Sequence, residues 1–184
     1  LAIGTSAATI VFTAVSSARA HHAHGAVAWS VVRSMAPGLV FGSVIGPQIA
    51  SALPVRIMAG IFGAFIWFAA FRMLRKPQLR TQRELPAAAG LFAVGAGIGV
   101  ISGMVGTGGA FLAVPFLVRC KVELRSAVAT SAALGLPIAL AATAGYVFAG
   151  WGKPGLPAYA VGYVYLPALV AIAIGWYALV QRKA

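Results

Sequence analysis

The chain has 184 residues, 61% of them hydrophobic and 9% charged, with fourteen Lys and Arg against two acids and a formal charge of +12. A soluble domain carries roughly a quarter charged residues, and one of this size leaves most of its residues facing water. This composition therefore excludes an ordinary globular enzyme, and so apolar a chain is not intrinsically disordered. The chain lives in lipid.

A membrane-spanning helix needs about 20 apolar residues. Leu1 to Ala18 is apolar or small, until Arg19 and the cluster His21, His22 and His24 interrupt it. A second run covers about 27–53 with Arg33 near its start, and a third covers 55–71, closed by Arg72. Arg72, Arg75, Lys76, Arg80 and Arg83 then mark the most polar stretch of the sequence. Another apolar run extends over 85–118 and ends at Arg119, Lys121, Glu123 and Arg125. Two more follow, 126–149 and 156–180, around a Gly-Pro-rich turn that holds Lys153. No strand-type alternation appears, and the runs exceed the ten-residue segments of a membrane barrel. The expected fold class is an all-α, polytopic membrane protein.

The run 85–118 is too long for one crossing and too short for two. In its middle stands Ser102-Gly103-Met104-Val105-Gly106-Thr107-Gly108-Gly109, where four glycines make a continuous helix costly. Backbone that leaves the helix at membrane depth must be buried in protein or line a wet cavity. A re-entrant helical hairpin satisfies both conditions. The charges agree: if the hairpin returns to its own side, twelve of the fourteen basic residues share one face, leaving only Arg56 and Lys153 on the other. A single crossing would split them eight to six. By the positive-inside rule the crowded face is expected to be cytoplasmic, in the cell inner membrane. The positive charge thus reads as an orientation signal rather than a nucleic-acid surface, which would need a basic stripe interleaved with exposed aromatics.

Ala2-Ile3-Gly4-Thr5-Ser6-Ala7-Ala8 resembles Ala127-Val128-Ala129-Thr130-Ser131-Ala132-Ala133. After each, a loop leads into an aromatic-rich helix, with Pro37 in one copy and Pro167 in the other. A complete unit would be a hairpin and three crossings, an odd number, so the second copy enters the membrane inverted. Such repeats mark transporters that bind substrate where the repeats meet. On this reading residues 1–73 are a first repeat lacking its hairpin, and 74–86 form a basic cytoplasmic linker. Residues 87–184 are a second repeat lacking its last helix, with the hairpin at 87–118 and crossings near 126–149 and 157–180. The chain, opening at Leu1 inside an apolar run, reads as a window of a longer one.

The stretch from Gly99 to Pro115, G-V-I-S-G-M-V-G-T-G-G-A-F-L-A-V-P, resembles the glycine-rich signature of the TauE/SafE sulfite and organosulfonate exporters. Ala127-Val128-Ala129-Thr130-Ser131 is similar to that family's A-x-x-T-S element, and Gly25-Ala26-Val27-Ala28-Trp29 to its G-x-V-x-W entry into a helix. Ala110 stands where the family often has a third glycine, and Ala28 where an acid is usual. The resemblance implies a membrane exporter of small anions.

A hairpin tip offers unpaired backbone N–H groups and the positive end of a helix dipole, which suit an anion. Gly106, Thr107, Gly108 and Gly109 are therefore expected to bind substrate. Thr130 and Ser131, with their repeat counterparts Thr5 and Ser6, are expected to supply further hydroxyls. The competing reading is that the glycines serve helix packing and the hydroxyls satisfy backbone carbonyls. Arg33 and Gln48 are weaker candidates for the substrate path. Trp29, Trp67, Trp151 and Trp176 read as interfacial or packing residues, the histidine cluster as a solvated loop, and Cys120 as a small apolar residue near a helix end. No metal-ligand spacing or catalytic set appears, so no enzyme and no cofactor is expected. The expected partners are a small anionic substrate and the lipid bilayer, with a homo-oligomer left open. Beside secondary transport by alternating access stand two other readings, a non-transporting anchor or assembly subunit and a passive anion channel.

Overall fold

The computed structural model describes residues 1–23, 25–74, 84–106 and 109–181, and for 22–23, 72–73 and 178–181 the backbone alone. These residues form helices α1 (Ala2–Ala23), α2 (Trp29–Ala52), α3 (Val55–Leu74), α4 (Ala88–Val105), α5 (Ala110–Arg119), α6 (Leu124–Gly150) and α7 (Leu166–Gln181). Helices α2, α4 and α6 are each long and apolar enough to cross a membrane. The protein is an all-α polytopic membrane protein.

Its centre is the pairing of α2 with α4. Small residues let helix backbones approach closely in lipid, where no hydrophobic effect drives helices together. Here glycines recur every fourth residue on both helices, Gly38, Gly42 and Gly46 on α2 and Gly95, Gly99 and Gly103 on α4. A side chain on Gly46 would stand 2.6 Å from the Val100 carbonyl oxygen, and one on Gly95 2.6 Å from that of Met35. As the numbers rise along α2 they rise along its partner: Gly38 faces Phe92, Gly42 faces Ala96, and Gly46 faces Val100. The two helices are parallel. Pro47, buried, lies between Gly103 of α4 and Gly145 of α6.

Helix α6 runs in the same direction on the other side of α2. Ala127, near its start, clusters with Val31 of α2, and Gly145, near its end, meets Ser43, Val44 and Pro47. Gln48 donates from its side-chain amide to the Gly145 carbonyl at 3.1 Å. A second core cluster joins Met35 and Leu39 of α2, Ile98 of α4, Ala113 of α5, and Leu134 and Ile138 of α6.

Helix α5 reverses the course of α4. Ser102, at the last turn of α4, lies beside Gly109, whereas Leu117 packs on Val31 and Ala127, the first turns of α2 and α6. Arg119, Lys121 and Arg125 therefore lie at the same end as the start of α2, as a hairpin requires. With ten residues, α5 rises about 15 Å, half the hydrocarbon thickness. Gly109 accordingly sits against Ile138, at the middle of α6.

Helix α1 runs antiparallel to α6, with Gly4 beside Tyr146 and Ala7 clustered with Ala142. Helix α3 lies outermost. Its Val55, Ile57, Phe62, Ile66, Trp67 and Phe68 are exposed, as lipid-facing residues are, and Phe65 meets Phe111 of α5 edge-on at 6.0 Å.

The expected crossing at 157–180 starts later, since helix α7 begins only at Leu166. Before it, Ala160–Val161 and Val164–Tyr165 pair as a two-residue antiparallel ladder. Tyr159 and Gly162 have φ of +67° and +55°, which no α-helix accommodates. The Tyr163 N–H instead donates to the Tyr146 carbonyl at 3.1 Å, folding the turn back onto α6. Apolar composition alone could not separate this docked turn from helix. Most of the expected linker, along with His24, Arg182 and Lys183, lies outside the described residues.

Candidate functional site

The glycine-rich segment divides into two groups with different tasks. Gly95, Gly99 and Gly103 are packing residues, taken up by the contact with α2. Gly106 and Gly109 instead form the turn. Gly106 ends α4 at φ +74°, its N–H still donating to the Ser102 carbonyl at 2.8 Å, and Gly109 opens α5 at φ +69°. Both angles lie in the left-handed region that glycine enters without penalty. Thr107 and Gly108, between them, lie outside the described residues.

The Gly109 carbonyl accepts the N–H groups of Leu112 and Ala113 at 3.1 and 3.0 Å. The N–H groups of Ala110 and Phe111, earlier in the turn, have no acceptor within the helix, and the N-cap residue, Gly109, has no side chain to cap them. Beside them stands Ser102, which the sequence reading did not select. It is 1% exposed and its hydroxyl has no hydrogen-bond partner among the described residues. Its Oγ lies 3.4 Å from the point where a side chain on Gly109 would begin. A buried hydroxyl without a partner is costly in lipid. This one sits at the positive end of a half-helix, beside the N–H groups of its first turn. Around it, Ile138 of α6 closes on Gly109, and Ile3 of α1 closes on Gly106.

The expected hydroxyls are dispersed. Ser131 is fully buried and its hydroxyl, like that of Ser102, has no partner among the described residues. It lies two turns before Ile138, on the side of α6 that carries Ala127 and Leu134 into the core. Thr130 is fully buried, and its hydroxyl accepts the Ala28 N–H at 3.0 Å. Thr5 donates to the Leu1 carbonyl at 2.9 Å and accepts the Tyr165 N–H at 3.0 Å. Ser6 is exposed, and its carbonyl accepts the Thr9 hydroxyl at 2.8 Å. Gln48 and Arg33 are both exposed. Among the described residues no group of three His, Cys, Asp or Glu could hold a metal ion.

A second residue unmarked in the sequence supports the tip from below. The Tyr146 hydroxyl, on α6, donates to the carbonyls of Gly103 and Met104 at 2.8 and 3.2 Å. Those carbonyls lie in the last turn of α4, where helical N–H donors run out. Tyr146→Phe is expected to cost about 1–2 kcal/mol, seen as a fall of roughly 3–6 °C in the unfolding temperature with helix content unchanged. Thermal unfolding in detergent, followed by circular dichroism, measures it.

Parallel membrane helices joined through glycines, with a half-length hairpin turning at mid-depth, define a class of polytopic membrane protein with broken helix inside the bundle. Residues 1–183 match the family model described as sulfite exporter TauE/SafE, and the chain belongs to that family. It is 34% identical over 174 residues to a protein of Haemophilus influenzae named "Probable membrane transporter protein", covering 93% of this chain and 65% of that protein. It is 25% identical over 158 residues to "Probable membrane transporter protein YdhB" of Bacillus subtilis, covering 82% of this chain and 64% of the relative. The chain thus spans a little under two thirds of these relatives' lengths. No solved structure matches it.

Proposed function

We propose that this chain forms the greater part of an inner-membrane secondary transporter that exports small organic or sulfur-containing anions, such as sulfite, sulfonates and related carboxylates, by alternating access. The observation that carries the reading is at the hairpin tip: the buried Ser102 hydroxyl, without a partner among the described residues, beside the first turn of α5. An anion there is met by dipoles and hydroxyls rather than by a buried lysine or arginine, which would be expensive in the bilayer. Thr107 and Gly108 join Gly106 and Gly109 in the substrate-binding set by sequence, and Ser131 provides a further free hydroxyl lower on α6. Thr5 and Thr130, whose oxygens already accept backbone N–H groups, shape the surrounding helices. The membrane potential, negative inside, drives an anion outward. The basic end faces the cytoplasm and concentrates anions at the inner mouth. This is transport chemistry and not an enzyme's: Glu84 and Glu123, the two acids of the chain, are both exposed.

The test is flux in liposomes with sulfite, sulfoacetate, taurine and simple carboxylates in competition. Saturable flux is expected. Its absence would return the protein to a membrane anchor or assembly subunit, and an unsaturable current would make it a passive channel. Ser102→Ala is expected to raise the half-saturating anion concentration roughly ten- to a hundredfold, the worth of one hydrogen bond to a charged group. An unchanged concentration dependence would remove Ser102 from the site.

A further inference from the structure

Thr5 and Thr130 hold the same place in the two A-x-x-T-S elements, and each bonds a backbone N–H far away in sequence. The Thr130 hydroxyl takes the N–H of Ala28, and the Thr5 hydroxyl takes that of Tyr165, both at 3.0 Å. The two donors also correspond. Ala28 immediately precedes α2 and Tyr165 immediately precedes α7. Each follows a valine, Val27 or Val164, and each lies three residues after a glycine of positive φ, Gly25 at +63° or Gly162 at +55°. Since α1 and α6 are antiparallel, the two bonds lie at opposite ends of the bundle. The Thr130 bond is at the basic end with Val31, Leu117 and Ala127, and the Thr5 bond is at the far end with Tyr163 and Tyr146.

We infer that these two reciprocal clasps are the end latches of alternating access, the Thr130–Ala28 clasp sealing the basic end and the Thr5–Tyr165 clasp the opposite one. The inference rests on the transporter reading. Each clasp ties a helix entry in one half of the chain to a helix of the other half. A rocking of the halves that opens one end therefore parts the clasp there and leaves its counterpart closed. An N–H that loses its acceptor within the bilayer must find water. Parting a clasp and wetting that end are thus a single event, which gives each gate two discrete states rather than a gradual loosening.

Two buried positions report on the two ends without any substrate. Cys120, the single cysteine, is 5% exposed at the basic end, and Val164, beside Tyr165, is 3% exposed at the other. In the full chain in liposomes, Thr130→Val is expected to raise the rate of Cys120 labelling by a small maleimide about tenfold. The same substitution leaves labelling of Val164→Cys, in a Cys120→Ser background, unchanged. Thr5→Val is expected to do the converse. Thr130→Ser and Thr5→Ser, which keep the hydroxyl, label as the parent does. If a valine variant does not insert, Thr→Ala at that position carries the same expectation. Equal increases at both ends, or no increase at either, would overturn the latches and leave the threonines as static supports. Because labelling needs no anion, the two readings fail separately. A parent protein without flux but with end-specific labelling overturns transport alone, and saturable flux without end-specific labelling overturns the latches alone.

Discussion

Gly42→Ala is expected to lower the unfolding temperature of the purified protein by roughly 3–10 °C, while Gly97→Ala on the facing helix leaves it unchanged or slightly raised. Both substitutions add one methyl to a helical glycine in a membrane helix, so propensity favours both alike. The difference is what the methyl meets. At Gly42 it collides with the Ala96 carbonyl oxygen and stands 2.7 Å from the Val100 nitrogen, whereas at Gly97 nothing lies within 4 Å. Backbone atoms cannot rotate away as a side chain can. Helix α2 must move off α4, and this unseats the neighbouring contacts of Gly38, Gly46, Gly95, Gly99 and Gly103 at once. Since α2 also carries Met35 and Leu39 into the core that holds α5 and α6, the displacement reaches the hairpin. Thermal unfolding of the two variants in one detergent decides the matter, and equal responses would mean that α2 and α4 do not meet through these glycines.

The number of apolar runs and the break at the glycines were readable because both depend on local composition. Leu1–Ala18 and 55–71 appear as α1 and α3, slightly extended, and 85–118 resolves into α4 and α5 around Gly106 and Gly109. The return of α5 was readable for a different reason: the placement of Arg119, Lys121 and Arg125 is a global constraint that a single crossing would violate. The onset of α7 was not, because the turn before it is as apolar as a helix and is held by long-range bonds, from Tyr163 to Tyr146 and from Tyr165 to Thr5. Among the site residues, the αL turn positions announced themselves as glycines. Ser102 did not, since nothing local distinguishes a serine that packs from one left without a partner. Its significance comes from α5 folding back beside it. Thr5 and Thr130 stood out as a repeat, but only the fold shows that each serves the opposite half of the chain.

Gly109→Val is expected to abolish anion flux while leaving membrane insertion intact. Valine at φ +69° enters a region costing an L-residue about 1–2 kcal/mol, and β-branching makes that conformation worse. Its side chain would also run into the Ile138 δ-methyl, and would begin 3.4 Å from the Ser102 Oγ. On the proposed reading that space is the mouth of the anion site beside Ser102, Ala110 and Phe111, so the added carbons would take the anion's place. Steric damage and loss of the site are separable. Ile138→Ala removes the methyl that collides and is expected to recover thermal stability in the double variant without recovering flux. Gly60→Val, on α3 where nothing lies within 4 Å, controls for valine in a membrane helix and is expected to transport as the parent does. Flux at the parent rate in Gly109→Val would show that the anion passes elsewhere, since no substrate could share the first turn of α5 with that side chain.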